Sequence, residues 1–390
     1  PLLWLAGDTV GLPDSIRAVV RIDGAGRSTL QVDNSPTLTF EPETQSATAI
    51  EVAARRIAAL IPGTTTSATS LPREVSLGDV GSPLRGDAMA RAWKGSRSPG
   101  IAVPLGRLAG GGILTLDLVA DGPHVLVGGT TGSGKSELLR TMLATIVAGN
   151  SPAHVNLLLV DYKGGAAFGP LAHLPHCVGL LTDLGPAEVA RNLSGLRAEL
   201  HRREQILDTH GASDVRFLDE ALRPPSLLLV VDEFATLVKE VPDFLEGVLD
   251  VAQRGRSLGM HMILATQRPT GVVSDAVKAN TSLRIALRLP DGDDSDDVVG
   301  SRAAAELPRD IPGRALVRLG HDALLTTQVA YSGGPLVDEE TVEVRPLGTP
   351  PRRRAPSENG PSELEALVDA ARAANDLLDL PAPRRPVPPP

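Results

Sequence analysis

Residues 129–136 read Gly-Thr-Thr-Gly-Ser-Gly-Lys-Ser, which is a complete GxxxxGK[ST] pattern. An apolar run at residues 124–128 precedes it, and helix-forming residues follow from Lys135. This strand–loop–helix context is what makes the pattern specific for a phosphate-binding loop; a glycine-rich turn that matches by chance is the alternative. A chain with this loop is constrained to an α/β fold, because the loop must join a buried strand to a helix.

The residue types of the loop predict which ligand it holds. Glycines let backbone N–H groups turn inward onto phosphates, and the helix N-terminus adds a positive field. Lys135 is expected to reach the β- and γ-phosphates, and the Ser136 hydroxyl to sit on Mg²⁺. The sequence therefore predicts that the chain binds ATP with Mg²⁺. The predicted nucleotide-binding residues are Gly129, Thr130, Thr131, Gly132, Ser133, Gly134, Lys135 and Ser136.

Two carboxylates follow a second apolar run, Leu-Leu-Leu-Val-Val at residues 227–231. Asp232 is the predicted magnesium residue, acting through water, and Glu233 is the predicted residue that polarises the attacking water. The alternative is an acidic pair in a turn that ends a strand. Together with the phosphate loop, the pair predicts that bound ATP is hydrolysed.

Two further side chains are candidates for catalysis. Gln267 follows the next apolar run, so it is expected at the same edge of the sheet, where its amide can contact the γ-phosphate. Arg256 precedes that run and is a candidate arginine finger for a neighbouring subunit, which can contribute about 10³–10⁵ in rate. A helix-terminal arginine favoured by the helix dipole is the alternative interpretation of Arg256.

Composition sets the broad class of the protein. Of the 390 residues, 42% are hydrophobic and 2% are aromatic. This indicates a folded chain that lacks the stacking platforms typical of single-strand nucleic-acid binders. The net charge of −9 argues against a protein that coats DNA, although a ring with a basic channel stays possible. Cys177 is the single cysteine and is expected to be a small buried residue in a reducing compartment.

The pattern along the chain predicts three regions. Residues 1–75 are expected to form a small β-β-α adaptor and a linker, since a hairpin signal at 18–32 precedes a helical stretch at 47–60. Residues 76–335 alternate apolar runs with helical stretches, which is typical of a mostly parallel sheet covered on both faces. Residues 336–390 are expected to be a proline-rich linker with one helix, which begins at a Ser362–Glu365 capping box.

The motifs together resemble the FtsK/SpoIIIE branch of RecA-like motor ATPases. The resemblance covers roughly residues 100–335 and is carried by residues 128–137, 159–168, 174–179, 230–234, 256–261 and 265–269. It implies a RecA-like P-loop NTPase fold. By the same resemblance, Arg256 aligns with the trans-acting arginine of the family. Lys163 matches a family lysine whose role the residues do not give.

Within that branch, Asp-Tyr-Lys-Gly-Gly-Ala-Ala-Phe at residues 161–168 is most similar to the EccC/EssC ATPases of type VII (ESX) secretion. The resemblance implies an ATP-driven motor module for protein export, at the cytoplasmic face of the bacterial membrane. The partners it implies are a secreted protein substrate, secretion-machine subunits, and adjacent ATPase modules or subunits in a ring. The chain begins with Pro1 rather than Met, so we expect one module of a longer protein whose membrane anchor lies outside it.

Two other functions remain open at this stage. A double-stranded DNA translocase has the same expected fold, but its relatives typically carry Asp-Ser-Arg where this chain has Asp-Ser-Asp at residues 294–296. A nucleotide-gated scaffold would bind ATP with negligible turnover, and the presence of Glu233 argues against it. Both the acidic substitution and the linker-like tail favour protein export over DNA movement.

Overall fold

The computed structural model of the chain describes residues 18–22, 28–32, 37–40, 71–96, 100–161, 167–182, 186–269, 275–320, 324–336 and 360–386. Contacts divide the chain into two compact units, Pro1–Ser67 and Ala68–Pro390. The helix predicted at residues 47–60 and the family-matched Lys163 lie outside the described residues.

The smaller unit contains an antiparallel sheet with the order β1–β2–β3. Its strands are β1 (Ala18–Ile22), β2 (Ser28–Val32) and β3 (Leu38–Phe40). The predicted hairpin is confirmed, with Ala18 paired to Val32 and Ile22 paired to Ser28. The third strand follows the hairpin directly and was not expected from the sequence.

The larger unit contains the remaining described strands and the described helices. The strands are β4 (Ala102–Leu108), β5 (Ile113–Asp117), β6 (His124–Gly128), β7 (Val155–Asp161), β8 (Cys177–Thr182), β9 (Ser226–Asp232), β10 (Met260–Thr266), β11 (Leu283–Ala286), β12 (Arg314–Leu319) and β13 (Leu325–Val329). The α-helices are α1 (Gly86–Gly95), α2 (Lys135–Gly149), α3 (Pro186–His210), α4 (Phe234–Glu240), α5 (Pro242–Leu258), α6 (Asp275–Asn280), α7 (Gly292–Val299) and α8 (Glu363–Leu378). None of the described helices combines the length and apolar character needed to cross a bilayer.

The strands of the larger unit form one ten-stranded sheet with the order β5–β4–β13–β12–β11–β6–β10–β9–β7–β8. The portion from β11 to β8 is parallel. The predicted α/β class with a mostly parallel sheet is therefore confirmed. Because β10 lies between β6 and β9, the strand that enters the phosphate loop is one strand away from the strand that ends at Asp232.

The sheet continues beyond β11 as an antiparallel extension through β12, β13, β4 and β5. The sequence did not predict these strands, since their apolar runs are interrupted by residues such as Arg318 and Gln328. The chain before β4 and the chain after β13 meet, since the Tyr331 N–H donates to Val75 O at 2.8 Å.

Two hydrophobic cores lie on the two faces of the sheet. Alternate residues of β6 divide between them, with Val125 and Val127 in one core and Leu126 in the other. This is the period-2 geometry of a strand. Helices α1, α2 and α8 contribute to the first core, and α3, α5 and α7 contribute to the second. Coverage of both faces explains why the strands read as uninterrupted apolar runs.

Helix α8 begins at the predicted capping box, which is present in both directions between Ser362 and Glu365. Its apolar side, including Leu367 and Ala371, is fully buried in the first core. The sequence predicted this helix as part of a linker, whereas its packing makes it a structural part of the larger unit. Cys177 was expected to be buried, but it is only half-buried at the start of β8.

Candidate functional site

The phosphate loop is anchored to the two strands that flank β6. The Gly129 N–H donates to Thr266 O at 3.2 Å, and the Thr130 N–H donates to Arg288 O at 3.0 Å. Within the loop, the Ser133 N–H and hydroxyl both donate to Thr130 O, at 3.1 and 2.7 Å. These bonds hold the loop in one conformation at the carboxyl edge of the sheet.

The end of the loop depends on glycine conformations. Gly132 and Gly134 have φ of 79° and 100°, in the region where a side chain is strained. A Cβ on Gly134 would also lie 3.0 Å from the Gly313 N atom. The turn delivers Lys135 and Ser136 to the first turn of α2, whose N–H groups have no acceptor inside the helix. An anion is the ligand that such groups favour.

Lys135 and Asp232 meet inside the site. The Lys135 ammonium donates to an Asp232 carboxylate oxygen, and the two side chains are 5% and 10% exposed. Asp232 ends β9, where it is in register with Asp161 of β7. The contact shows that the predicted phosphate-binding lysine and the predicted magnesium residue lie at one point, although 97 residues separate them.

Glu233 follows Asp232 and is held in an unusual backbone conformation. Its φ of 67° is left-handed, and it is one of two described non-glycine residues with positive φ, the other being Asp379. This conformation costs of order 1–3 kcal/mol and is found preferentially at functional sites. The side chain is buried, and its Oε1 accepts from the Gln267 N–H at 3.4 Å. In this backbone conformation the Glu233 carboxylate faces the end of β10.

Gln267 connects β10 to the phosphate loop. Its Oε1 accepts a hydrogen bond from the Thr131 hydroxyl at 3.0 Å. Thr266, the residue before it, is in register with Gly128 at the end of β6. The structure thus brings Gln267, Glu233, Asp232 and the loop together, as the sequence predicted from the ends of the strands.

The donors at this point suit magnesium. Ser136 supplies a hydroxyl and Asp232 a carboxylate, and both are oxygen ligands. Mg²⁺ prefers oxygen ligands and is typically held by one or two carboxylates, substrate phosphates and several waters. The residues present fit this ion.

A cavity of about 670 Å³ opens over the loop. Its size is within the range of about 300–1,000 Å³ typical of small-molecule sites. The loop, Lys135, Ser136 and Gln267 line one part of it. Apart from Glu137 and Leu138 of α2, the remaining lining comes from three segments that the sequence did not identify: Arg73, Glu74 and Val75; Asp310, Ile311, Pro312 and Gly313; and Gln328, Val329, Ala330 and Tyr331. The Pro-Gly pair at 312–313 marks a turn in the sequence, but no local pattern links these segments to the loop.

Arg256 does not belong to this cluster. It lies in the last turn of α5, before β10, so it is at the amino edge of the sheet and is exposed. Arg256 also lies near His124 at the start of β6, because its charge contributes to the lowered pKa of that histidine. That pKa is lowered to about 4, chiefly by burial and then by nearby His261. Since β6 has five residues and spans about 16 Å, Arg256 cannot reach its own phosphate loop.

Comparison with protein families matches residues 83–271 to the FtsK/SpoIIIE family. The chain is 37% identical over 254 residues to the ESX secretion system protein EccC of Geobacillus thermodenitrificans, covering 62% of this chain and 17% of the relative. It is 38% identical over 243 residues to the type VII secretion system protein EssC of Staphylococcus aureus, covering 60% of this chain and 16% of the relative. The chain therefore spans about a sixth of the length of these curated relatives.

Among solved structures, the chain is similar to the cytoplasmic domain of the Thermomonospora curvata type VII secretion ATPase EccC. The TM-score is 0.65 at 31% sequence identity, and the match covers 77% of this chain and 34% of that one.

Proposed function

Because residues 83–271 form an FtsK/SpoIIIE-family domain, we propose that this chain binds and hydrolyses MgATP to drive protein export through a type VII secretion machinery. The sequence resemblance to this family, and to EccC and EssC within it, is confirmed. The observation that supports the proposal is the meeting of Asp232 with Lys135 and of Glu233 with Gln267, because both Lys135 and Gln267 line the cavity beside the phosphate loop. These groups are the ones that phosphoryl transfer to water requires.

Binding of ATP is assigned to residues 129–136. The N–H groups at the start of α2 receive the phosphate oxygens, and the Lys135 ammonium exchanges its Asp232 contact for the β- and γ-phosphates. Ser136, and Asp232 through water, would hold Mg²⁺, which would supply positive charge beside the phosphates. The loop itself is held by the bonds from Gly129 to Thr266 O and from Thr130 to Arg288 O, so its backbone needs little ordering when ATP binds.

Hydrolysis is assigned to Glu233. Its carboxylate orients a water and accepts a proton from it, while the water oxygen bonds to the γ-phosphorus and the bond to the bridging β–γ oxygen breaks. Gln267 contacts the γ-phosphate and is linked to the loop through Thr131. The loss of the γ-phosphate therefore changes a contact that reaches both β10 and the phosphate loop.

Arg256 is assigned to the site of a neighbouring module. Its exposure at the opposite edge of the sheet supports a role in trans, because its own site is out of reach. ATP hydrolysis at each interface then requires two modules, one that supplies the cavity and one that supplies the arginine. A ring of subunits or adjacent modules satisfies this requirement.

The movement of a protein is the finer part of the proposal. It rests on the sequence identity of 37% to EccC and 38% to EssC, which are secretion proteins by name. We place the chain at the cytoplasmic face of the bacterial membrane, with secretion-machine subunits, a secreted protein substrate and a membrane anchor in the longer protein as its partners.

The test compares two stimulants of ATP hydrolysis. A peptide carrying the C-terminal signal of a secreted substrate is expected to raise the hydrolysis rate, and double-stranded DNA is expected to leave it unchanged. A rate that rises with DNA and falls steeply between about 50 and 200 mM salt would instead identify a DNA translocase.

A further inference from the structure

Phosphate binding accounts for only part of the cavity. The phosphate loop forms one end, and residues 73–75, 310–313 and 328–331 form the other. We call these three segments the outer wall. They come from widely separated parts of the chain, yet they meet beside the loop and leave space next to it.

The outer wall is tied together by main-chain and side-chain bonds. The Tyr331 N–H donates to Val75 O at 2.8 Å, and the Gln328 amide donates to Pro312 O at 2.9 Å. The Gly313 N–H donates to Ser133 O of the phosphate loop at 3.0 Å. The wall is therefore preformed and connected directly to the loop that would hold the phosphates.

Tyr331 offers an aromatic surface within this wall. Of the described residues that line the cavity, it carries the one aromatic ring, and it is 51% exposed. The ring is supported by Gly333, since a Cβ there would lie 2.7 to 3.0 Å from the Tyr331 hydroxyl and ring carbons. A half-exposed ring held in place by the chain beside it is a surface on which a planar group can stack.

An ion pair joins two segments of the outer wall. Arg73 donates to Asp310 at 2.5 Å, and the two side chains are 68% and 70% exposed. Exposed pairs of this kind contribute little to stability, so the contact can open and close at small cost. Both residues line the cavity and are exposed, so the pair lies on the solvent-facing part of the cavity wall.

We propose that the outer wall is the subsite for the base and ribose of the nucleotide, with the base stacked on Tyr331 and the Arg73–Asp310 pair closing over it. The inference rests on the proposed function, because the phosphates must lie on the loop for the base to reach this wall. It adds residues that distinguish a nucleoside triphosphate from a bare polyphosphate.

The test measures binding of MgATP and of magnesium tripolyphosphate to the whole chain by calorimetry. Tyr331→Ala is expected to weaken MgATP binding by about 5- to 150-fold, which is the range for loss of one base–aromatic contact. Tripolyphosphate binding is expected to stay within about twofold of the wild type, because the loop is unchanged. Tyr331→Phe, which keeps the ring, is expected to retain MgATP binding.

A matched control is Leu377→Ala, which removes another exposed apolar side chain, 66% exposed against 51% for Tyr331, on α8 outside the cavity, and should leave both ligands unaffected. Gly333→Ala is a second variant, since the added methyl must displace the Tyr331 ring, and it should weaken MgATP alone. Equal losses for both ligands in Tyr331→Ala, or no loss for either, would overturn the subsite. If the wild type bound neither ligand, the proposed function itself would fail.

The role of the Arg73–Asp310 ion pair is tested by the dissociation rate of MgATP. Arg73→Ala is expected to raise the dissociation rate of MgATP a few-fold while leaving that of tripolyphosphate unchanged, because only the base end lies under the pair. An unchanged MgATP dissociation rate would remove the closing role from Arg73 and Asp310 and leave stacking as the sole function of the wall.

Discussion

At the carboxyl ends of β6, β9 and β10, polar side chains come together around the phosphate loop, whereas at the amino ends of the same strands they are bonded to carbonyl groups of the protein frame. At the carboxyl edge, Glu233 is held in a strained conformation and the first turn of α2 has N–H groups without helical acceptors. That arrangement costs stability and is suited to a ligand.

The amino edge is arranged for stability. Buried Arg203 of α3 donates to Leu258 O at 2.8 Å, Gly259 O at 3.2 Å and Pro225 O at 2.6 Å. His261 is hydrogen-bonded to Pro123 O at 3.2 Å. Against this background, the exposed Arg256 differs from its neighbours. This difference between the two edges supports the proposals that the carboxyl edge holds the nucleotide and that Arg256 at the amino edge acts on the site of another module.

The largest expected effect comes from removing the arginine. Arg256→Ala should leave MgATP affinity unchanged and lower hydrolysis by assembled modules by about 10³–10⁵. Arg254→Ala is the matched control, since Arg254 lies on the same helix but is paired with Glu204 and Asp250. Mixing Arg256→Ala with Lys135→Ala modules should restore part of the rate, because some interfaces then hold both groups. A mixture without any recovery, or an Arg256→Ala variant that loses ATP affinity, would break the comparison.

The second-largest expected effect concerns Glu233, the residue with the strained backbone. Glu233→Gln should keep the backbone and bind MgATP, but lower hydrolysis by about 10²–10⁴ because the amide cannot accept the proton. Single-turnover measurements with radiolabelled ATP would show the nucleotide trapped. Glu240→Gln, at the exposed end of helix α4, which directly follows Glu233, should have no effect. Unchanged turnover in Glu233→Gln would remove this residue from the mechanism.

A smaller effect concerns the amino edge and pH. The pKa of His261 is lowered to about 4, chiefly by burial, which disfavours the charged ring. In the unfolded chain His261 is therefore protonated as the pH falls through about 6.5, whereas in the folded chain it stays neutral until about pH 4. The free energy of unfolding should fall with decreasing pH across this window, by about 1.4 kcal/mol per pH unit for one such histidine.

His261→Asn keeps a donor for Pro123 O and should reduce this slope in denaturant titrations between pH 6.5 and 4. The same slope in variant and wild type would show that His261 does not titrate as its burial implies. MgATP binding should be insensitive to the substitution, since the site is at the other edge.

The smallest expected effect is the loss of the bond between Thr131 and Gln267. Thr131→Val removes one hydrogen bond, which contributes about 0.5–1.5 kcal/mol, so hydrolysis should fall by less than about 15-fold. Thr209→Val removes a similar bond to Gln205 O on α3 and should leave hydrolysis unchanged. A loss of more than a hundredfold in Thr131→Val would mean that Thr131 itself contacts the reacting groups.

The residues at the carboxyl edge could be predicted well from sequence, because each is marked by a short contiguous sequence pattern. The phosphate loop is contiguous, and Asp232 and Gln267 directly follow buried runs whose ends must meet in a parallel sheet. The amino-edge position of Arg256 follows from the same logic, because it precedes a strand. The identity of the buried strands was predictable because both of their faces are covered.

The outer wall could not be predicted in this way. Arg73 and Asp310 are 237 residues apart, and only the antiparallel extension brings their segments together. Tyr331 follows shortly after β13, whose threonine-rich sequence gives a weak strand signal although the strand is paired on both sides. The burial of α8 was missed for a related reason: its capping box fixes where the helix starts, but not what it packs against.

Binding of MgATP at the phosphate loop is tested by calorimetric titration of MgATP into the wild-type chain and into Lys135→Ala. Thermal melting first confirms that each protein is folded. We expect saturable binding at one site in the wild type and a loss of affinity of at least about 100-fold in the variant, because the ammonium at the phosphates is removed. Equal affinity in the two proteins, or no binding to the wild type, would contradict this expectation.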